Sequence, residues 1–343
     1  MLPEIVPLLV CPECASRALQ HEVFEQDARG RIIDGVLWCG GCQRWYPVEG
    51  GVLELLPDRL AYRDDRAAFW SRHRDRLAAR GLRSDGPRPS TREMSPQAVQ
   101  QEHFDWYALN DTQTYDAYER TPFWQAVDST FFREWRRVIA SGTRLLDVGC
   151  AQGRSSAHLM DCDLTLVGFD VSKALVRQAH ARYANQPAGA RAVFFAADAS
   201  RFPFVDASFD YVLVYGVLHH LDDPASACGE IGRVLKRGGM YFGLENNTTV
   251  LRPVFDFLQR LRPLWHEEAG AKALMSAREL VGWLSRAGMT ARAHSSVFLP
   301  PHVANRLSPP AAQRCLEVVD AVFGKIPFVR DQGGLLVASG TKS

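Results

Sequence analysis

This 343-residue chain has no long apolar run and almost no net charge. It lacks any uninterrupted apolar stretch of about 18 residues, the length a bilayer-spanning helix needs. Forty Lys and Arg stand against 39 Asp and Glu, for a formal net charge of +1. A chain whose main partner is nucleic acid ordinarily carries a basic excess, and that excess is missing. The start, MLPEIVPLLV, is apolar but has no basic leader before Cys11, so it does not read as a secretory signal. The expected compartment is therefore the cytoplasm, where paired cysteines are more often metal ligands than disulfides. No repeat recurs along the chain.

What is present divides into three compositional regions. Residues 1–57 hold both Cys pairs and carry four Arg against eight acidic residues, a balance of −4. Residues 58–100 hold ten Arg against six acidic residues, a balance of +4, and read as a helix from about Ala61 to Ala79 followed by a Gly-, Pro- and Ser-rich linker. A basic helix of this size is ordinarily a solvated face. From about Gln101 onward, apolar runs alternate with helical patterns, which predicts an α/β fold with a mostly parallel sheet covered by helices on both faces. The strand candidates are Arg144–Val148, Thr165–Asp170, Ala192–Ala196, Tyr211–Tyr215 and Gly239–Glu245. Helices are expected over Ser172–Asn185 and Pro224–Leu235, and over Ala277–Ala287 behind an N-cap at Ser276. Two later strands are expected over Thr290–Phe298 and Gly334–Ser339.

Cys11 and Cys14 form one C-x2-C pair and Cys39 and Cys42 another, with 24 residues between the pairs. Two such turns bring four thiolates to one point, which suits tetrahedral zinc. A four-thiolate site has no open coordination position, so the metal is expected to be structural. Cys150, Cys162, Cys228 and Cys315 show no such spacing and read as buried apolar residues. The residues around the pairs, CPEC and DGVLWCGGCQRWYPVEGGVLELLPD, resemble the small zinc-ribbon activator subunits of RNA and protein methyltransferases and their bacterial relatives. The resemblance spans about 57 residues and includes the Tyr46–Val48 step and the Gly51–Val52 turn.

The run RLLDVGCAQGRSS, residues 144–156, is an apolar strand ending in Asp147 and a glycine turn that leads into a helix. Gly149 permits a sharp turn and Gly153 a close approach of the helix start to a ligand. The order D-x-G-x-A-x-G departs from the dinucleotide fingerprint and resembles the first motif of class I S-adenosylmethionine-dependent methyltransferases, with Ala151 where a middle glycine often sits. Asp170 ends the next strand, 21 residues after Gly149, where an acid accepts hydrogen bonds from ribose hydroxyls. By the same resemblance, Asp198 and the amide of Ala199 would hold the adenine edge, with Val171 and Tyr215 completing the cofactor set. SFDYVLVYGVLHHLDDP and LKRGGMYFGLE match the fourth and fifth strands of this superfamily. The resemblance covers about 140–245, most closely to methyltransferases of quinone and natural-product biosynthesis. It implies a Rossmann-like seven-stranded sheet. Asp206 and Asp210 read as cap or surface carboxylates.

Methyl transfer to a hydroxyl gains from a general base, and imidazole is the usual one near neutral pH. His219 and His220 follow the fourth strand and Glu245 ends the fifth, so neighbouring strands would bring the carboxylate to the histidines. His219 is the favoured base, with a structural role for the LHHL element as the competing reading. A metal site from His219, His220 and Asp222 is a minor alternative. Acceptor selectivity is expected from the aromatic segment 103–124 and from a lid insertion over 246–275, where His266, Glu267 and Glu268 could supply polar contacts. The acceptor is expected to be a small-molecule, sugar or natural-product hydroxyl. Ribosomal or transfer RNA, bound through the ribbon, is the alternative, disfavoured by the acidic ribbon and the near-neutral charge.

Overall fold

The structure is a computed structural model that describes residues 1–84, 95–111, 117, 119–184, 191–250, 257, 261 and 275–343. It begins with a four-stranded antiparallel sheet in the order β1 (Leu19–Gln26), β2 (Ile32–Cys39), β3 (Trp45–Glu49), β4 (Val52–Leu53). The β1–β2 turn is fixed by Asp27, whose Oδ1 accepts from the amides of Arg29 and Arg31, both at 2.9 Å.

The basic region forms α1 (Arg63–Ala79), and its charges are turned onto the acidic ribbon. Arg80, just past its end, pairs with Glu22 at 2.6 Å, Arg66 with Glu54 at 2.7 Å, and His73 lies 3.0 Å from Asp34. Arg72 also pairs with Glu49, and Arg76 stacks over Phe24. Among the described residues, part of the basic excess of 58–100 thus meets the acidic ribbon across one packed boundary.

Residues 96–100 are not linker. They form the first turns of α2 (Pro96–Asn110), which Ser95 caps by accepting from the Ala98 amide. Proline at the first helical position suits a helix start, because its missing N–H would be unpaired there anyway. The Pro- and Ser-rich composition concealed that start.

The larger sheet runs in the order β10 (Met289–Ser296), β11 (Leu335–Lys342), β9 (Leu235–Asn246), β8 (Phe209–Tyr215), β5 (Thr143–Val148), β6 (Leu164–Asp170), β7 (Arg191–Ala196). Only β11 runs against the others. Alternate residues of the central strands enter two different cores. Leu146, Val148, Val212 and Val214 face α6 (Pro224–Val234) and α7 (Ala277–Arg286). Leu145, Leu166, Tyr211 and Leu213 face α3 (Pro122–Arg136), α5 (Lys173–Ala184) and α9 (Pro309–Phe323). The described residues also form the short helices α4 (Arg154–Ala157) and α8 (Pro301–Ala304). Burial on both faces is why these strands read as continuous apolar runs. Ser276 caps α7 through a capping box with Glu279.

The ribbon docks on the edge of this sheet. Glu54 bridges Ala196 in parallel, and the Leu55 amide donates to the Ala196 carbonyl at 2.8 Å. Leu9 forms an antiparallel bridge with Phe204, in the segment between β7 and β8. Leu37, Tyr46, Val48 and Leu53 of the ribbon share one apolar core with Val193, Phe195 and Phe204. An edge strand that would otherwise present unpaired backbone is thereby covered.

Cys150 and Cys228 are buried as expected, whereas Cys162 and Cys315 are partly exposed because they lie at a helix-end turn and on an outer helix face. Apart from 246–250, Phe257, Leu261 and Met275, the lid insertion, with His266, Glu267 and Glu268, lies outside the described residues. Among the described residues, no helix is long and apolar enough to cross a membrane.

Candidate functional site

The four ribbon sulfurs converge. Cys11, Cys14, Cys39 and Cys42 place their Sγ atoms within 4.8 Å of one another, with Cys11–Cys42 at 3.6 Å and Cys14–Cys39 at 3.5 Å. Tetrahedral zinc with Zn–S bonds of about 2.3 Å requires sulfurs about 3.8 Å apart, so the donor set fits that ion in number, chemistry and spacing. The amides of Gly41 and Cys42 point at Cys39 Sγ, and those of Glu13 and Cys14 at Cys11 Sγ. The phenol of Tyr46, fully buried, lies 3.1 Å from Cys11 Sγ. N–H and O–H donors around sulfur favour the thiolate that a metal needs. Among the described residues this is the one such convergence of potential metal ligands; His219, His220 and Asp222 do not form another.

At the carboxyl edge of the larger sheet, the turn after β5 carries Gly149 at φ +64°, Ala151 at φ +44° and Gly153 at φ +78°. A Cβ on Gly149 would come within 2.5 Å of Val217, and one on Gly153 within 2.7 Å of Tyr183, so both glycines are required by space as well as by conformation. Ala151 holds the same left-handed conformation with a side chain, at a cost of roughly 1–2 kcal/mol. Ala151→Gly is therefore expected to raise stability by up to about 1 kcal/mol after the glycine's own entropic cost, read as a denaturation midpoint.

Asp170, ending β6, accepts from the Ala151 amide at 3.0 Å and the Ser172 amide at 2.9 Å. Burial pushes its carboxyl up to about 6, against the opposing pull of those two amides. Asp147, the penultimate residue of β5, accepts from Ser156 Oγ at 2.5 Å and is pushed by burial up to about 7. Asp198, just past β7, accepts from the Ser200 amide at 2.8 Å and pairs with Arg59. Val171 packs with Leu56, Leu60 and Ala196, and Ala199 follows Asp198 at the same rim. Tyr215 turns to the opposite face, where its hydroxyl donates to Asp128 at 2.6 Å. Asp128 also takes Arg154 at 2.8 Å, and Glu119 takes Arg154 at 3.0 Å.

Beyond β8, Gly216 and a single turn at Leu218–His220 lead the chain away. Because β8 and β9 are parallel neighbours, Glu245 reaches this turn from one strand over. Its Oε1 accepts from the amides of Val217 at 2.9 Å and Leu218 at 2.8 Å, and its Oε2 lies 2.9 Å from His219 Nδ1. His219 is 4% exposed; His220 is half-buried, rests its ring edge-to-face on Phe104 of α2, and contributes to the field at Asp170.

Helix α2 straps across this edge. Gln101 donates to the carbonyls of Leu60 and Val171, and Asp105 accepts from Ser172 Oγ at 2.6 Å and from Tyr62 Oη at 2.6 Å. At its start Gln97 reaches Asp222 at 3.2 Å. Beneath it, Lys173 is 2% exposed and bonds Glu54 at 2.9 Å and Asp65 at 2.8 Å, joining the loop after Asp170 to the ribbon and α1. Arg59, Gln101, Asp105 and Lys173 carry no motif in the sequence; they act through partners far along the chain.

Residues 146–243 match the family described as a methyltransferase domain, and residues 3–51 match the family described as Trm112p-like protein. The chain thus combines a methyltransferase domain with a Trm112p-like zinc-ribbon domain. Among curated relatives, 27-O-demethylrifamycin SV methyltransferase of Amycolatopsis mediterranei is 35% identical over 102 residues, covering 29% of this chain and 38% of the relative. Demethylmenaquinone methyltransferase of Renibacterium salmoninarum is 34% identical over 113 residues, covering 31% and 45%. The chain therefore spans less than half the length of either. Phosphoethanolamine N-methyltransferase 2 of Haemonchus contortus shares the fold, with a TM-score of 0.52 at 17% identity over 71% of this chain and 60% of that one.

Proposed function

We propose that the chain transfers a methyl group from S-adenosylmethionine to a hydroxyl of a small molecule, with zinc held by Cys11, Cys14, Cys39 and Cys42 as a structural ion. The observation that carries the reading is Asp170. It is a nearly buried carboxylate at the carboxyl end of β6, bonded to the amide of the glycine turn and set at the edge where open α/β sheets bind ligands. Gly149, Ala151 and Gly153 form the floor, Asp170 takes the ribose hydroxyls, and Asp198 with the Ala199 amide takes the adenine edge. When bound, the sulfonium supplies an electrophilic methyl. The chain's part is to orient the acceptor oxygen in line with it and to receive the proton.

Of the two histidines, we assign the base to His220 rather than to His219, which the sequence favoured. His219 is buried and tied to Glu245, and so sets the turn that carries His220. Relatives named for the methylation of 27-O-demethylrifamycin SV and of demethylmenaquinone support a metabolite acceptor. The ion pairing of α1 with the ribbon weighs against RNA, because those arginines are engaged within the chain. The deciding experiment supplies the protein with radiolabelled S-adenosylmethionine and either a metabolite extract or total RNA. Label entering a base-stable, organic-soluble product supports the reading, and label entering RNA overturns it.

Asp170→Ala is expected to weaken adenosylhomocysteine binding by about 1.5–3 kcal/mol, the range for hydrogen bonds to a charged group. Calorimetry checks this, and unchanged affinity would remove Asp170 from the ribose contact. The pH dependence has a definite sign. Ribose hydroxyls donate to the ionised carboxylate, so affinity is full above about pH 6 and falls as pH drops through that value. Stability moves oppositely. A folded-state value above the ordinary carboxylate value near 3.9 means this group favours the fold at low pH, and that contribution is lost as pH rises from about 4 through 6.

A further inference from the structure

Asp198 is 5% exposed, and both of its oxygens are engaged: Oδ1 by the Ser200 amide at 2.8 Å and Oδ2 by the guanidinium of Arg59. Arg59 comes from the far side of the molecule's internal boundary. It sits on the single turn Asp58–Leu60 that follows the ribbon, 139 residues away in sequence. That turn is held by the metal-binding loops themselves. Glu13, between Cys11 and Cys14, accepts from the Asp58 amide, and Arg44, two residues past Cys42, pairs with the Asp58 carboxylate at 2.6 Å. On the other side, Leu56 and Leu60 pack against Ala196 and Val171, and the Leu60 carbonyl accepts from Gln101 at 2.9 Å. The Cys loops, the turn and the carboxylate at the end of β7 therefore form one continuous set of contacts.

We propose that Arg59 is a specificity-determining residue of the adenine pocket, an internal competitor for Asp198 that the adenine 6-amino group must displace. This rests on the cofactor reading given above. The carboxylate has little open surface, and of its two partners the Ser200 amide is fixed by the backbone, whereas the Arg59 guanidinium is carried on a long side chain that is 39% exposed. A ligand that donates a hydrogen bond at this position restores what Asp198 loses when Arg59 leaves. A ligand presenting an acceptor there leaves a buried carboxylate without compensation and is rejected. Selectivity for a 6-amino purine is thereby sharpened, at some loss of affinity for the correct ligand. The Cys loops, by clamping Asp58, set how firmly the competitor is held.

The experiment titrates adenosylhomocysteine into the full-length protein and into Arg59→Met, which keeps the apolar stem but removes the charge. Zinc content and melting temperature serve as checks of integrity. The variant is expected to bind about three- to tenfold more tightly, the span of an ion pair between partly exposed and buried partners. Raising salt from about 50 to 500 mM, which weakens an ion pair whose guanidinium is partly exposed, is expected to tighten binding to the natural chain and to leave the variant unchanged. Asp58→Ala, which releases the turn from Arg44, is expected to shift affinity in the same direction by a smaller factor. Equal or weaker binding by Arg59→Met overturns the proposal while the cofactor reading stands. Absence of binding to both proteins overturns the cofactor reading and this proposal with it.

Discussion

Replacing Cys39 with serine, or removing the metal with a chelator, is expected to lower the melting temperature of the entire chain by on the order of 10 °C or more. Structural zinc contributes roughly 10–16 kcal/mol of apparent binding free energy in small ribbon and finger peptides, and that energy is folding energy. An appended module would lose it alone. Here the ribbon shares an apolar core with β7 and its neighbours, and Leu55 pairs with the sheet edge. The buried ions tighten the coupling. Lys173 is 2% exposed and Arg66 1% exposed, and both take Glu54, itself fully buried on the ribbon side. Unfolding the ribbon would take from Lys173 the fully buried one of its partners, Glu54, and leave it Asp65 of α1; breaking a buried pair from one side costs up to about 3–5 kcal/mol. At roughly 2–4 °C per kcal/mol for a domain of this size, that term alone moves the transition by about 10 °C. Scanning calorimetry with and without chelator checks it: a single transition should shift downward. Loss of zinc beside an unmoved main transition would show that the two parts fold independently.

Much of this arrangement was legible in the sequence, and what escaped has one physical cause. The buried strands β5, β6, β7 and β8 could be found within a residue or two at most ends, because double-sided burial demands continuous apolar runs. The capping box at Ser276 and the two C-x2-C turns were legible because each is local, written within a few positions. The parallel pairing of β8 with β9, which puts Glu245 beside the His219 turn, followed from the expected strand order. Long-range polar partners were not legible. Lys and Arg are almost never fully buried, so no pattern marks Lys173 or Arg66 as interior residues. The α2 strap was missed at its start because Ser95 and Pro96 sit in a run whose composition reads as linker. Asp105 in turn looks like any surface acid until the helix lays it against Ser172 and Tyr62.

The histidine turn supports the second large effect. His220→Ala is expected to reduce turnover by about 10²–10⁴-fold, the usual contribution of a positioned base, while adenosylhomocysteine affinity stays within about twofold. Affinity is largely spared because the ligand contacts are assigned to Asp170, Asp198 and the glycine turn, and the ring reaches this set through its field at Asp170. Glu245→Gln should behave differently. The carboxylate accepts from two backbone amides with one oxygen and meets His219 Nδ1 with the other. A glutamine can still accept from the amides, but it presents N–H to the imidazole and forces it to exchange tautomers or move. At a residue 1% exposed, such a mismatch costs about 1–3 kcal/mol, so this variant should lose stability as well as turnover. Steady-state rates on the acceptor found by the labelling experiment, set beside denaturation curves, separate the two roles. If His220→Ala turned over normally while Glu245→Gln did not, the turn would act by positioning alone. The acceptor oxygen would then lose its proton to water or to another group, and the glutamate would be the residue on which the geometry depends.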